Sequence, residues 1–537
     1  MKNRPWIFQV KVVLSLILLS AFLMFAATAQ GATPKHGGTL IAATSGEEAT
    51  LNPHISTGAA NQVPVNNIYD LLVYLNFDLE PVPGLATSWE VSKDGLTYTF
   101  NLAKNATWHD GKPVTSADVL YTLKDIYPQH PRAQWWRGMA KSISLEAPDN
   151  HTVVIKLKSP FAPFLTVMAF EIGGPHILPK HLYEGTDFKK NPYNNKPIGT
   201  GPFMFKEWVK GSHIELIRNP NYFAKGKENK PYVDRLITRI IPDSSALALA
   251  LKKGDVDFIP STFVPLEEVA EFRKDPKIAV DPRGDGLTLK YLFFNLRHPI
   301  LSKQAVRQAI AYGMDKQKIL NFALSGEGKV AKSILNSRMG WAFNSNVPEY
   351  AFDPKKANEL LDKAGIARGG DGIRFKMRLH CPNRGSDPLI AEVVRDNMKP
   401  LGIDVQIVSA DLATFYDSVF MRWDFDTAVQ QMATAPDPSL GTSRFIHSKN
   451  IVKATMVNVM GYNNPEVDRL LDREFNQVDR KERAATWRQI QDLVMNDLPV
   501  IPIYEVTPMN TYRSTWGDVV TRFYAAGQSR EDAYLKK

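Results

Sequence analysis

Residues 373–408 read IRFKMRLHCPNRGSDPLIAEVVRDNMKPLGIDVQIV. Ile373, Phe375, Met377 and Leu379 alternate with polar residues, which places them on one face of a strand. Asp387 and Pro388 supply an N-cap and a first helical position, Ile390, Val394 and Met398 form one stripe, and Gly402 ends the helix. IDVQIV resumes a strand at once. Strand, helix and strand in this spacing predict a parallel pair, and with it an α/β domain. Helices on either side are punctuated in the same way. Asp353-Pro354 opens one that runs to Gly365, Asn464-Pro465 opens another, and Asp479 with Glu482 forms a capping box. In SKQAVRQAIAYGMD, Ser302 is the expected cap, with Ala305, Val306, Ala309 and Ile310 facing inward.

Nearer the N-terminus the rhythm has a period of two. TSWEV, the turn Ser92-Lys93-Asp94-Gly95 and LTYTFNL make a hairpin, with Leu96, Tyr98, Phe100 and Leu102 on one face. HTVVIKLK repeats the alternation through Val153, Ile155 and Leu157, so about 62–195 reads as a β-rich module with a few helices. A chain of 537 residues is too long for one small domain, and two or three are expected. There is no internal repeat and no flexible linker, so the chain is expected to pass between its domains more than once.

The first residues carry a separate signal. Lys2, Arg4 and Lys11 precede an apolar run from Val12 to Ala27, which ends in the small residues AATAQGA. This pattern predicts a cleavable secretory signal over 1–31, cut after Ala29 or Gly31. The single cysteine, Cys381, lies far from that point, so no disulfide framework is expected, and a free exported protein fits better than a lipid-anchored one. Losing Lys2, Arg4 and Lys11 takes the net charge from +9 to +6. The remaining lysines and arginines are scattered, not gathered into the stripe a nucleic-acid binder needs.

Eight phrases in collinear order resemble the extracellular solute-binding proteins of family 5, the dipeptide and oligopeptide receptors of ABC importers. They are GGTL from Gly37, LEPVPGLATSWEVSKDGLTYTFNLAKNATWHDGKPVTSADVLYTL from Leu79, PIGTGPFMFKEW from Pro197 and NPNYF from Asn219. ALKKGDVDF from Ala250, AVRQAIAYGMDKQKIL from Ala305, DPKKANELLDKAGI from Asp353 and GYNNPEVDRLL from Gly461 complete the series. Taken singly, they are structural: Trp89 and Trp108 read as core aromatics, and GTGPF places glycines where a chain turns, at a domain crossing.

The resemblance implies a two-lobed periplasmic binding protein of mixed α/β class with an extra inserted α+β domain. The first lobe would combine 32–62, 195–285 and 505–537, the inserted domain would be 63–194, and the second lobe 286–504. It implies capture of a peptide or peptide-sized solute by hinge closure, and delivery to an inner-membrane ABC permease served by an ATPase. A periplasmic monomer without cofactor is expected. The alternatives are a receptor for an opine-like, sugar-conjugated or metal-complexed ligand, one that only signals, and, last, a secreted hydrolase.

No catalytic or metal motif stands behind the hydrolase. His176 and His181 are the closest histidine pair and have no acid or thiol in ligand spacing. SGEGKV and RGGDG lack the phosphate-loop pattern, and no G-x-S-x-G elbow occurs. His380 and Cys381 are adjacent on a strand and point to opposite faces, so Cys381 reads as a buried, inert thiol. The ligand candidates come from loops. Peptide receptors of the family hold the α-ammonium with an aspartate just before a D/E-P turn. In FDTAVQQMATAPDPSL that position falls on Thr434, or on Ala435 with a shifted gap, and neither is acidic; Asp437 belongs to the turn. Arg384, in HCPNRGSDP at the end of a parallel strand, and Arg444, after DPSLGTS, are candidates for a ligand anion. Glu47 and Glu48, before LNPHIST, could meet a cationic group from the first lobe.

Overall fold

The computed structural model describes residues 34–139, 142–284 and 286–536; the expected signal segment lies outside them. Two large sheets organise the chain. A seven-stranded sheet runs in the order Ile278–Asp281, Asn510–Arg513, Phe258–Ile259, Thr39–Thr44, Arg235–Ile240, His213–Arg218, Phe203–Val209. A six-stranded sheet runs Lys329–Val330, Val500–Glu505, Thr288–Phe294, Thr427–Ala433, Phe375–Pro382, Ile403–Ala410. Each has its own apolar core. A four-stranded antiparallel sheet, Ala86–Val91, Thr97–Leu102, Thr152–Lys156, Ser144–Asp149, is inserted between two strands of the seven-stranded one.

The β-α-β unit forms as its spacing predicts. Phe375 pairs in parallel with Ile403 and Pro382 with Ala410. Between them the helix Asp387–Met398 buries Ile390, Val394 and Met398, and a short 3-10 turn carries the chain to Gly402 at φ 72°. The cap differs from expectation. Ser386 is the N-cap, and the Asp387 carboxylate instead accepts a hydrogen bond from the buried ammonium of Lys290. A buried lysine needs a counter-charge more than a helix needs this cap. Asp353, Asn464 and Asp479 do cap their helices through side-chain oxygens. Ser302 does not: its hydroxyl donates to the Pro299 carbonyl, and Lys303 precedes the helix Gln304–Tyr312. Val306, Ala309 and Ile310 are buried there and Ala305 partly so.

In the inserted sheet, Tyr98, Phe100 and Leu102 face the core. Gly95, at φ 69°, closes the Ser92 turn. Trp108 is fully buried, while Trp89 sits half-buried at the core's rim. Gly199 serves a close approach, since a Cβ there would lie 1.8 Å from the Ile68 carbonyl oxygen. It stands where the chain returns to the seven-stranded sheet.

Two short segments join the large sheets, around 282–287 and 506–509. Gly286, at φ 104°, lies against Pro508, and the Asn510 amide donates to the Arg283 carbonyl at 2.9 Å. Away from these crossings the inserted body touches the six-stranded one directly: the Ala162 N–H donates to the Phe475 carbonyl at 3.0 Å. No described helix is long and apolar enough to cross a membrane.

Candidate functional site

The strand Thr427–Ala433 ends beside Thr288, where the six-stranded sheet faces the inserted body. The chain then turns through Thr434, Ala435 and the Asp437-Pro438 pair. A buried ionic network holds this turn. Arg483 donates to both Asp437 carboxylate oxygens at 2.8 Å and to Glu474 at 3.1 Å. The Ser439 hydroxyl donates to Glu474 at 2.7 Å, and its N–H to Asp437 at 3.0 Å. Burial would raise the Asp437 pKa, but the charge and hydrogen bonds of Arg483 outweigh it and hold it below 3.8. Burial pushes Glu474 upward against the pull of Arg483, and Asp437 adds to the rise. Asp437 therefore shapes the turn. Gly441 completes it, because a Cβ at that position would lie 2.2 Å from the Thr434 carbonyl oxygen.

Against this turn lies a cavity of about 350 Å³ between the two bodies. From one side come Tyr127, Arg132, Gln134, Trp135, Val167 and Phe170. From the other come Met432, Ala433, Ala435, Leu440, Gly441, Arg444 and Met456. The lining is apolar apart from a few polar groups, and its only charges among the described residues are the two arginines. Arg444 is half-buried, burial pulls its pKa below the ordinary guanidinium value, and among the described residues no acid pairs with it. Arg132 is exposed and meets only carbonyls, Thr57 at 3.3 Å and Ile172 at 3.5 Å. Among the described residues no carboxylate lines the cavity.

Of the five residues singled out in the sequence, Arg444 alone lines this space. Thr434 is fully buried, and its hydroxyl donates to the Leu287 carbonyl at 2.9 Å. Arg384 is exposed on the loop after Phe375–Pro382. Burial pulls the Lys290 pKa down, Asp387 resists, and the charge of Arg384 adds to the lowering. Glu47 accepts from the Trp208 indole at 2.6 Å and from the Gly211 N–H. Glu48 accepts from the Ser56 hydroxyl at 2.9 Å. Arg132 and Trp135, from HPRAQWWRG, were not singled out in the sequence.

Elsewhere, Glu207, His213 and Glu215 bring ligand atoms within 4.8 Å of one another. Glu215 already binds Lys206 at 3.1 Å and Arg235 at 2.6 Å, so two cations occupy the place a metal would take. His176 donates to or accepts from Asn66, and His181 pairs with Asp110. Cys381 is buried, and burial raises its thiol pKa.

Comparison with known proteins agrees with this architecture. The oligopeptide-binding protein AppA of Bacillus subtilis is 30% identical over 491 residues, spanning 88% of this chain and 87% of that protein. The periplasmic binding protein DppA of Helicobacter pylori, solved with the peptide STSA, superposes with a TM-score of 0.72. It is 28% identical and covers 94% of this chain and 99% of its own. AgaA of A. tumefacien R10, solved with agropinic acid, gives a TM-score of 0.68 at 27% identity, over 93% and 99% of the two chains. Residues 80–452 match the family described as bacterial extracellular solute-binding proteins, family 5 middle. The chain is therefore a two-lobed solute-binding protein and belongs to family 5 of the bacterial extracellular solute-binding proteins.

Proposed function

We propose that the cavity between the inserted domain and the second lobe is the solute site, and that its ligand is an anionic, peptide-sized solute with no free amine at the enclosed end. The observation that carries this reading is Arg444, half-buried in a cavity that no described carboxylate lines. A charge taken out of water is costly unless paired. A guanidinium offers two parallel donors that suit a carboxylate or phosphate, so a ligand anion would complete the pair. A ligand ammonium in the same cavity would meet two positive charges and, among the described residues, no negative one. Agropinic acid, with which the relative AgaA was solved, is an acid.

In this reading the second lobe, 286–504, closes on the first lobe (32–62, 195–285 and 505–537) and the inserted domain, 63–194. The crossings near Gly286 and Pro508 serve as the hinge, and the closed form is the one an inner-membrane permease recognises. An ATPase drives that permease. The protein works as a periplasmic monomer after loss of residues 1–31, needs no cofactor and releases its ligand unchanged. The relatives' names, peptide-binding proteins of ABC transporters, support this role. Mass spectrometry of small molecules released by denaturing the purified protein tests it. An acid lacking a free amine is expected; free-amine peptides would contradict the reading.

A further inference from the structure

A second chamber, of about 440 Å³, adjoins the arginine cavity, and Gln134 and Trp135 border both. Its other described walls are mostly apolar, Met139, Ile143, Leu157 and Phe161 from the inserted domain and Phe475 from the second lobe, with Ser142, Lys158 and Ser159 adding a polar edge. Three rings make the partition. The Trp135 ring centre lies 5.9 Å from that of Phe161 and 5.8 Å from that of Phe475, and the two phenylalanine rings are 5.1 Å apart. Water in such a space finds few hydrogen-bond partners, so an apolar group that displaces it binds favourably. The volume is within the usual range for ligand pockets.

We infer that this chamber is a second subsite, which takes the apolar acyl or aryl group of the same ligand whose anionic end meets Arg444. The ligand class is thereby narrowed to amphipathic acids: an amide-blocked carboxylate carrying an aliphatic or aromatic group. The inference rests on the anion-site reading above. Phe475 also gives the chamber a wall from each lobe, so filling it favours the closed arrangement.

Calorimetry with N-acetyl-, N-butyryl-, N-hexanoyl- and N-octanoylglycine tests the assignment. Affinity should rise along the series, by roughly fourfold for each fully buried CH₂. Met139→Trp, which fills the chamber, should flatten the series; Arg444→Ala should weaken every member by a common factor. If Met139→Trp does not fold, Ile143→Trp on another wall takes its place. A flat series in the unaltered protein, or a steep one that survives filling the chamber, would overturn the subsite and leave the arginine cavity standing. Failure of every member to bind the unaltered protein would contradict the anion-site reading, and the subsite with it.

Discussion

The hydroxyl of Thr434 donates to the carbonyl of Leu287 at 2.9 Å, on the same oxygen that accepts the Thr434 N–H at 2.7 Å. Thr434 is one of the two positions, with Ala435, onto which the resemblance maps the aspartate of peptide receptors, and its side chain is turned into the sheet and committed there. The neighbouring Ala435 lines the cavity instead, at φ 57°.

That geometry separates two substitutions one residue apart. Ala435→Asp should create an ammonium anchor, since aspartate tolerates the left-handed region and the position faces the cavity. Binding of free-amine peptides should appear, read by calorimetry. Thr434→Asp should give no such gain and should destabilise the fold by about 1–3 kcal/mol, through a buried carboxylate facing a carbonyl. Gain of peptide binding in Thr434→Asp alone would contradict the placement.

Arg444→Ala should weaken an anionic ligand by roughly 2 kcal/mol or more, mostly through faster release. Arg384→Ala should change affinity little, because Arg384 stands outside the cavity. Surface plasmon resonance with the released ligand measures both, and equal losses would move Arg384 into the site.

Arg483→Leu leaves Asp437 and Glu474 buried without their cation. A loss of about 3–5 kcal/mol in unfolding free energy is expected, measured by urea denaturation. Ligand affinity should fall with it, as the turn that carries Ala435, Leu440 and Gly441 loosens. A loss below 1 kcal/mol would mean that the turn holds without the network.

Asp70 gives a pH signature. Burial pushes its pKa up from 3.8 to about 6, against hydrogen bonds from Thr200 and Tyr74; Glu531 adds to the rise and Arg522 opposes it. The folded state keeps a proton that the unfolded chain releases. Stability should therefore fall as pH rises from about 4 to about 6, by on the order of 2–3 kcal/mol for this group, and level off above. Asp70→Asn should remove that part of the slope in urea titrations at stepped pH. An unchanged slope would assign it to other groups.

The parts of the fold that rest on local rules were legible in the sequence. The unit 373–408 follows from alternation, a proline-marked helix start and Gly402, all within 36 residues. The hairpin at Ser92–Gly95 follows from period two and a turn. The Asp387 cap was misread because its partner, Lys290, lies 97 residues away and no local pattern announces it. The site was half legible for the same reason. Arg444 follows the Asp437-Pro438 turn, in the short helix Ser443–Ile446, and its place after that turn singled it out. Arg132 and Trp135 matter only because the inserted domain meets the second lobe there. That meeting depends on long-range packing, which neither periodicity nor spacing encodes.

The central claim is that the enclosed end of the ligand is anionic or neutral and never an ammonium. Calorimetry on matched pairs, a set of free-amine di- and tripeptides beside their N-acetylated forms, tests it most directly. A free ammonium in the arginine cavity meets no carboxylate among the described residues, so acetylation should strengthen binding by about tenfold or more, the 1.4 kcal/mol or so that even a partly desolvated unpaired charge costs. Tight binding of the free-amine peptides that disappears on acetylation would contradict the account.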